Sequence, residues 1–111
     1  MPVSSEYRAF VLEQMGRVEP VAARSMFGGV SISSAGLAFA LIAGNTVYMK
    51  VDDENRADFE ALGMGPFRPF DDPSQTMQYY ELPAELLEDP DTLRPWVNAS
   101  LEVARRKRRK R

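Results

Sequence analysis

The sequence predicts a single α+β domain, a two-layer sandwich in which helices cover one face of a mainly antiparallel sheet. Three observations predict this class. The chain has 111 residues, of which 44% are hydrophobic, enough for one modest core. Apolar residues recur at helical spacing near both ends, while the middle contains short strand-like stretches separated by turn residues. The predicted order of elements along the chain is α-βββ-α-ββ-α, in which strands and helices do not alternate regularly.

The first helix is expected to start after Ser4 or Ser5, because either side chain can cap it, and to end at Gly16. Its apolar residues fall at helical spacing and should face the core. These residues are Tyr7, Phe10, Val11 and Met15.

Three strands are predicted between residues 24 and 51, where the apolar pattern shortens. The segments 34–36 and 43–45 are short and contain glycine or asparagine, which suits tight hairpin turns. Consecutive antiparallel pairing follows from such short connections. The strand at 37–42 is apolar on both faces, so we expect it to be central.

A short second helix is predicted after the acidic residues 52–54, which suit the positive end of a helix dipole, with Gly63 at its exit. Pro66 and Pro69 remove backbone donors, so the segment around them should be an edge strand or an extended lead into a turn. The last strand is predicted at 76–82.

Two helices are predicted to complete the domain. Pro83 fits the first turn of a short one, and Pro90 precedes a longer final helix that carries Trp96. Because Pro95 lies within this pattern, the final helix either starts near Pro95 or bends there.

The net charge of −2 conceals an uneven distribution of charge. Residues 105–111 hold seven of the fourteen basic side chains, whereas residues 1–104 hold the other seven and all sixteen acids, so the body carries −9 and the tail +7. A run of seven like charges cannot pack. We therefore expect a domain at 1–104 and a disordered basic tail at 105–111.

The chain contains no apolar run of about eighteen residues, and it does not begin with the basic-then-apolar pattern of a signal peptide. We therefore expect a cytoplasmic protein that does not associate with membranes.

Cysteine and histidine are absent from the sequence, which removes thiolate nucleophiles and the commonest general base and metal ligand. Gly28 and Gly29 lack the spacing and lysine of a phosphate-binding loop, so a bulge or close approach in the first hairpin is preferred. The acidic run 52–55 lacks the glycine of an EF-hand, so a helix start is preferred over a metal site. Paired carboxylates such as Glu81 and Glu85 would need an enclosing cleft to act as acid and base. We expect no catalytic residue, no metal and no cofactor.

Arg24 precedes an apolar strand and has two interpretations. It forms a structural ion pair, with Asp52 or Glu81 as the candidate partner, or it binds an anion or a partner protein. The first interpretation is preferred, because a buried arginine without a partner is too costly to persist.

Aromatic residues accompany the one lysine of the predicted sheet. Tyr48 and Lys50 should share one strand face, whereas Tyr79 and Tyr80 should point to opposite faces, so one of them belongs to the core. Base stacking on a sheet face is the alternative to core packing or dimerisation for these side chains, but no RNA-recognition motif accompanies them.

The basic tail is the strongest charge signal in the sequence. Its cations could neutralise several phosphates of a nucleic acid without reading base sequence. The alternative is a solvated tail that lies over its own acidic domain. The candidate nucleic-acid-binding residues are Arg105, Arg106, Lys107, Arg108, Arg109, Lys110 and Arg111.

Blocks of sequence follow one another in a distinctive order: RSMFGG at 24–29, FALI at 39–42, YMKVD at 48–52, GPF at 65–67, MQYYELP at 77–83 and LRPW at 93–96. Together they resemble the TfoX N-terminal domain family over about residues 3–104. The resemblance implies a secretion-chaperone-like α+β fold and brings no recognised catalytic residues. The residues that match fixed family positions are candidates for fold or interface: Arg24, Phe27, Gly28, Gly29, Tyr48, Lys50 and Tyr80.

The family takes its name from a bacterial regulator of natural competence. The resemblance therefore implies a non-enzymatic regulatory module, here a stand-alone one, that acts as a transcriptional co-regulator and binds a protein partner, with weak attraction of DNA to its tail. The alternative is a protein-interaction or chaperone-like homodimer with no nucleic-acid role.

Overall fold

The computed structural model describes residues 3–26, 28–67 and 78–109. In this part of the chain a five-stranded antiparallel sheet, in the order β1-β2-β3-β4-β5, combines with three α-helices and a 3₁₀ helix, which confirms the α+β class. The elements are α1 (Ser5–Gly16), β1 (Ala22–Met26), β2 (Gly29–Ser34), β3 (Leu37–Ala43), β4 (Thr46–Lys50), α2 (Arg56–Ala61), β5 (Tyr79–Glu81), the 3₁₀ helix (Ala84–Glu88) and α3 (Pro90–Arg109).

Helices and sheet enclose one core. α3 packs on β3 and β4, α1 packs on α3 and the 3₁₀ helix, and α2 contacts β5. Alternate residues of β2 and β4 are buried, as expected for strands with one face in the core. The largest fully buried side chains include Met15, Ile32, Phe39, Ile42, Met49, Phe59, Leu87 and Leu93.

The capping predicted for α1 is confirmed. The Ser4 side chain accepts a hydrogen bond from the Tyr7 N–H at 3.1 Å, and α1 ends at Gly16. Val11 and Met15 are fully buried, but Phe10 is 39% exposed, so the prediction that it faces the core is wrong.

Four strands precede α2, whereas the sequence predicted three. The additional strand is β1, in which Arg24 pairs with Ser31 of β2. Because β1 has no run of large apolar residues, its conformation depends on hydrogen bonds to β2 rather than on local preference. Gly28 lies in the turn between them with a φ of +80°, and a Cβ there would meet nothing within 4 Å. This glycine serves the backbone conformation of the turn rather than a close approach.

β3 is the central strand, as predicted, and it contains a bulge. Ile32 pairs with Ala40, but the next residue, Ser33, pairs with Ala38, so Phe39 is the extra residue. Phe39 and Ala40 are both fully buried. The bulge therefore allows two successive side chains to enter the core.

The segment before the last strand is extended, as predicted. Pro66 forms an isolated bridge with Tyr80, and the Phe67 N–H donates to the Tyr79 carbonyl at 2.8 Å. The remainder of the predicted edge strand and the beginning of the predicted last strand lie at 68–77, outside the described residues.

α3 starts at Pro90, runs through Pro95 and continues to Arg109. The sequence predicted a disordered tail from residue 105, whereas in the structure α3 includes residues 105–109; residues 110 and 111 lie outside the described part of the chain. Within that part, no helix combines the length and apolar character needed to cross a membrane.

The physical reason for this continuation is that packing and charge both favour it. Val103 and Ala104 are buried, so the helix is held to the body up to the start of the basic run. Arg105 then forms an ion pair with Glu102, one turn earlier. Cations in a last helical turn also interact favourably with the negative end of the helix dipole. These contributions outweigh the repulsion between neighbouring like charges.

Candidate interaction surface at the basic end of α3

The backbone carbonyl of Lys50, at the end of β4, joins three elements. It accepts a hydrogen bond from Asn55 Nδ2 at 3.1 Å and another from Ser100 Oγ at 2.8 Å. Both donor residues are buried, so each bond satisfies a polar group that water does not reach. The two bonds fix α3 and the start of α2 against the sheet.

A second attachment, which we call the Arg106 clamp, consists of Arg106 with Asp52 and Glu54. Arg106 Nε and Nη2 donate to the two carboxylate oxygens of Asp52, both at 2.9 Å, and Nε lies 3.2 Å from Glu54 Oε2. The side chains of Arg106 and Asp52 are 24% and 29% exposed. The hydrogen bond to Asp52 raises the pKa of Arg106 above its ordinary value, so this guanidinium is always charged.

The acidic run 52–55 organises its own loop. The Asp52 N–H donates to Asn55 Oδ1, and the Glu54 N–H donates to Asp52 Oδ1, both at 2.9 Å. Asp53 pairs with Arg56 at 2.6 Å. Among the described residues no group of three acidic side chains is arranged to hold a metal ion. The run shapes the start of α2 and receives Arg106.

The remaining cations of the described basic run project from the last turns of α3. Lys107, Arg108 and Arg109 are exposed, and Arg105 is exposed beside Glu102. Of the seven candidate nucleic-acid residues, the structure therefore brings five together at one helix end and engages Arg106 in the clamp. Lys110 and Arg111 lie outside the described residues.

An open cleft of about 330 Å³ lies between the last turns of α3 and the adjacent ends of β4 and β5. Lys50 Nζ lies 5.7 Å from the centre of the Tyr79 ring, which is a cation–π contact. Burial raises the pKa of Tyr79 above its ordinary value of 10.0. The cleft is lined by Lys50, Val51, Asp52, Gln78, Tyr79, Val103, Arg106 and Lys107.

Arg24 lies away from this cleft, on the exposed strand β1. The structural ion pair preferred for it from the sequence stays a prediction. Its candidate partners lie on the opposite side of the sheet from β1, since Asp52 follows β4 and Glu81 ends β5. Of the neighbouring motif residues, Gly28 and Gly29 form the β1–β2 turn and the first position of β2, while Phe27 lies outside the described residues.

Tyr48, Lys50 and Tyr80 occupy the β4–β5 pair. Tyr48 lies on the outer face of the sheet, with its ring centre 4.6 Å from that of Phe67. Its pKa is raised by burial and, to a smaller extent, by the charge of Glu81. Tyr80 packs on the opposite face against Phe59, and its hydroxyl lies 3.0 Å from Glu60 Oε2. These contacts confirm that Tyr79 and Tyr80 point to opposite faces and that one of them belongs to the core.

Sequence reasoning missed the Arg106 clamp, because Arg106 was assigned to a disordered run. The signal that could have found it is the continued helical spacing of Leu101 and Ala104, which carries the last helix into the basic residues. The contact with Asp52 spans 54 positions and leaves no local trace in the sequence.

Comparison with protein families identifies a match over most of the chain. The model of the TfoX N-terminal domain matches residues 13–104, which is most of the chain. No curated protein matches the sequence.

Proposed function

The chain belongs to the TfoX N-terminal domain family, and on that premise we propose that it is a non-enzymatic regulatory module that acts by binding other macromolecules. The role proposed for it is transcription regulation, because the family takes its name from a bacterial regulator of natural competence. The observation that carries the proposal is the helical presentation of Arg105, Lys107, Arg108 and Arg109 at one end of an acidic body. Their partner is the phosphate backbone of a nucleic acid, bound without base specificity.

The Arg106 clamp supports this proposal, because it holds the cationic helix end to the sheet through Asp52. Side chains on an ordered helix lose less conformational freedom on binding than those of a disordered tail. Residues 1–104 carry −9 and would repel a polyanion elsewhere on the surface. A nucleic acid would therefore approach from the end of α3.

The test compares two double variants of equal charge in duplex-DNA titrations at about 50 and about 200 mM salt. Arg108→Gln with Arg109→Gln removes two cations from the end of α3. Arg17→Gln with Arg94→Gln removes two cations that form exposed ion pairs, one directly after α1 and one early in α3. We expect the first pair to reduce the log–log salt slope by up to about 1.8, that is about 0.9 per lost phosphate contact, and the second to leave it unchanged.

Equal weakening by the two double variants would mean that only net charge matters, and it would remove the assignment to the end of α3. Absence of binding by the unaltered protein at the lower salt concentration would remove the nucleic-acid role altogether. None of the substituted residues belongs to the Arg106 clamp, so a difference in DNA binding between the variants does not arise from loss of the clamp.

A second candidate function is a protein-interaction dimer without a nucleic-acid role. It is favoured by the outer sheet face, where Leu41, Tyr48 and Phe67 are only half-buried. Sedimentation of the unaltered protein and of Tyr48→Ser tests it, since a dimer formed through this face should dissociate in the variant.

A further inference from the structure

One row of side chains crosses the outer face of the sheet from β1 to β5. Each member of the row is directly paired with the next in the strand register, and directly paired residues project from the same face of a sheet. Because Tyr48 projects from the outer face, the whole row does. This set, which we call the outer row, consists of Arg24, Ser31, Leu41, Tyr48 and Glu81.

The outer row has opposite charges at its two ends and uncharged side chains between them. Arg24 and Glu81 are exposed, whereas Ser31, Leu41 and Tyr48 are half-buried. Neighbouring strands lie about 4.8 Å apart, so the four steps from β1 to β5 separate the two ends by about 19 Å. The sheet therefore holds the two charges apart within one chain.

A second copy of this face offers the matching charges. A twofold axis that runs parallel to β3 and passes Leu41 exchanges the two ends of the outer row. Arg24 of each copy then faces Glu81 of the other copy, and the two Leu41 side chains meet on the axis. Facing sheets pack about 10 Å apart, a gap that an arginine and a glutamate projecting toward each other can bridge.

The same charges select the orientation of the two copies. An axis along the row, perpendicular to the strands, would place Arg24 opposite Arg24 and Glu81 opposite Glu81, and like charges directly opposed are destabilising. Lys50 also projects from the outer face, since it follows Tyr48 by two residues in β4. With the axis parallel to β3, Lys50 would face the uncharged Ser33 of the second copy, so no like charges meet there.

We propose that two copies of the chain dimerise face to face through the outer row, with their strands aligned and Arg24 of each copy paired with Glu81 of the other. The inference rests on the second candidate function, the dimer through the outer sheet face, and is independent of nucleic-acid binding at the end of α3. The face spans about 19 Å across the strands and about 16 Å along a strand of five residues, which is small for a permanent interface. The dimer should therefore be weak and reversible.

The test is sedimentation equilibrium of the full chain at concentrations up to about 1 mM, the range in which a weak interface associates. We expect Arg24→Glu and Glu81→Arg each to raise the dimer dissociation constant about tenfold to a hundredfold, because each creates two like-charge contacts in the symmetric dimer. Both side chains are exposed, so the substitutions leave the core intact.

Two rescues identify the pair. The chain that carries both substitutions should return to within about threefold of the unaltered dissociation constant. An equimolar mixture of the two single variants should also associate, since each supplies the charge that the other has lost. The matched control, Arg94→Glu, makes the same change in net charge at an exposed position of α3 and should leave association unchanged.

Three results would count against the inference. A protein that stays monomeric at about 1 mM would overturn it together with the dimer on which it rests. A dimer that Tyr48→Ser dissociates, but that responds to Arg24→Glu no more than to Arg94→Glu, would overturn the inference alone. Recovery in the doubly substituted chain without association of the mixed single variants would place the ion pair within one chain and would overturn it as well.

Discussion

Replacing Arg106 with glutamine tests how far the clamp stabilises the end of α3. Exposed ion pairs contribute about 0.2 to 1 kcal/mol. This pair is bidentate, with both bonds at 2.9 Å and both side chains about three-quarters buried, so it should exceed that range. Loss of Arg106 also leaves Asp52 beside Glu54 without a shared cation. We expect the free energy of unfolding to fall by about 1 to 2 kcal/mol.

The assay is thermal and urea denaturation of four proteins: the unaltered chain, Arg106→Gln, Asp52→Asn and the double variant. For a domain of about this size each kcal/mol lowers Tm by roughly 4 to 8 °C, so the expected loss of about 1 to 2 kcal/mol lowers Tm by roughly 4 to 16 °C. Asp52→Asn should cost less, because an amide oxygen still accepts one bond and Glu54 still faces Arg106. The double-mutant cycle should give a coupling free energy of about 1 kcal/mol.

The matched control is Arg17→Gln, whose partner Glu13 lies 3.5 Å away in a pair with both side chains more than half exposed. Its removal should change the free energy of unfolding by less than about 0.5 kcal/mol. A coupling near zero between Asp52 and Arg106, or an equal loss in the control, would refute the reasoning. α3 would then owe its last turns to the burial of Val103 and Ala104, to the Arg105–Glu102 ion pair and to the helix dipole, without a contribution from the clamp.

Three further predictions concern the fold around the site. Ser100→Ala should lower the free energy of unfolding by about 1 to 2 kcal/mol in urea denaturation, because the Lys50 carbonyl loses a buried donor; an unchanged midpoint would contradict this. Gly28→Ala should cost about 1 kcal/mol through its φ of +80°, whereas Gly65→Ala, equally open but without a positive φ, should cost less than half as much; equal costs would contradict the role assigned to the turn. Burial, the largest cause in each case, raises the pKa of three tyrosines above 10.0, so the folded state holds these protons more tightly than the unfolded chain. The contribution of these tyrosines to stability should therefore be constant below about pH 10 and fall as the pH rises further. Denaturation and phenolate absorbance at rising pH would show this, and a phenolate titration identical in folded and unfolded protein would contradict it. The tyrosines are Tyr7, Tyr48 and Tyr79.

The features that the sequence predicted well depend on neighbours along the chain. The Ser4 cap acts within one turn, and the β3 and β4 strands follow from short apolar runs joined by tight turns. The position of β3 at the centre follows from its apolar character on both faces. Each of these signals is contained in a stretch of about ten residues, in which the local conformational preference and the burial pattern predict the same element.

The features that the sequence could not show depend on contacts distant along the chain. β1 is a strand because of its pairing with β2, and its own residues give little indication of it. The bulge at Phe39 is visible only in the register between β2 and β3. At the end of α3, charge repulsion predicted disorder, and one of the opposing contributions, the contact with Asp52, comes from half the chain away.

The clamp and the Lys50 carbonyl together determine how α3 responds to mechanical load. Ser100 and Arg106 attach the helix to the sheet at two points that are about 9 Å apart along its axis. A pull on the C-terminal turns would be transmitted through both points to β4 instead of unwinding the helix from its end. The basic end of α3 should therefore move together with the sheet, and a partner bound there would reorient the domain as a rigid body.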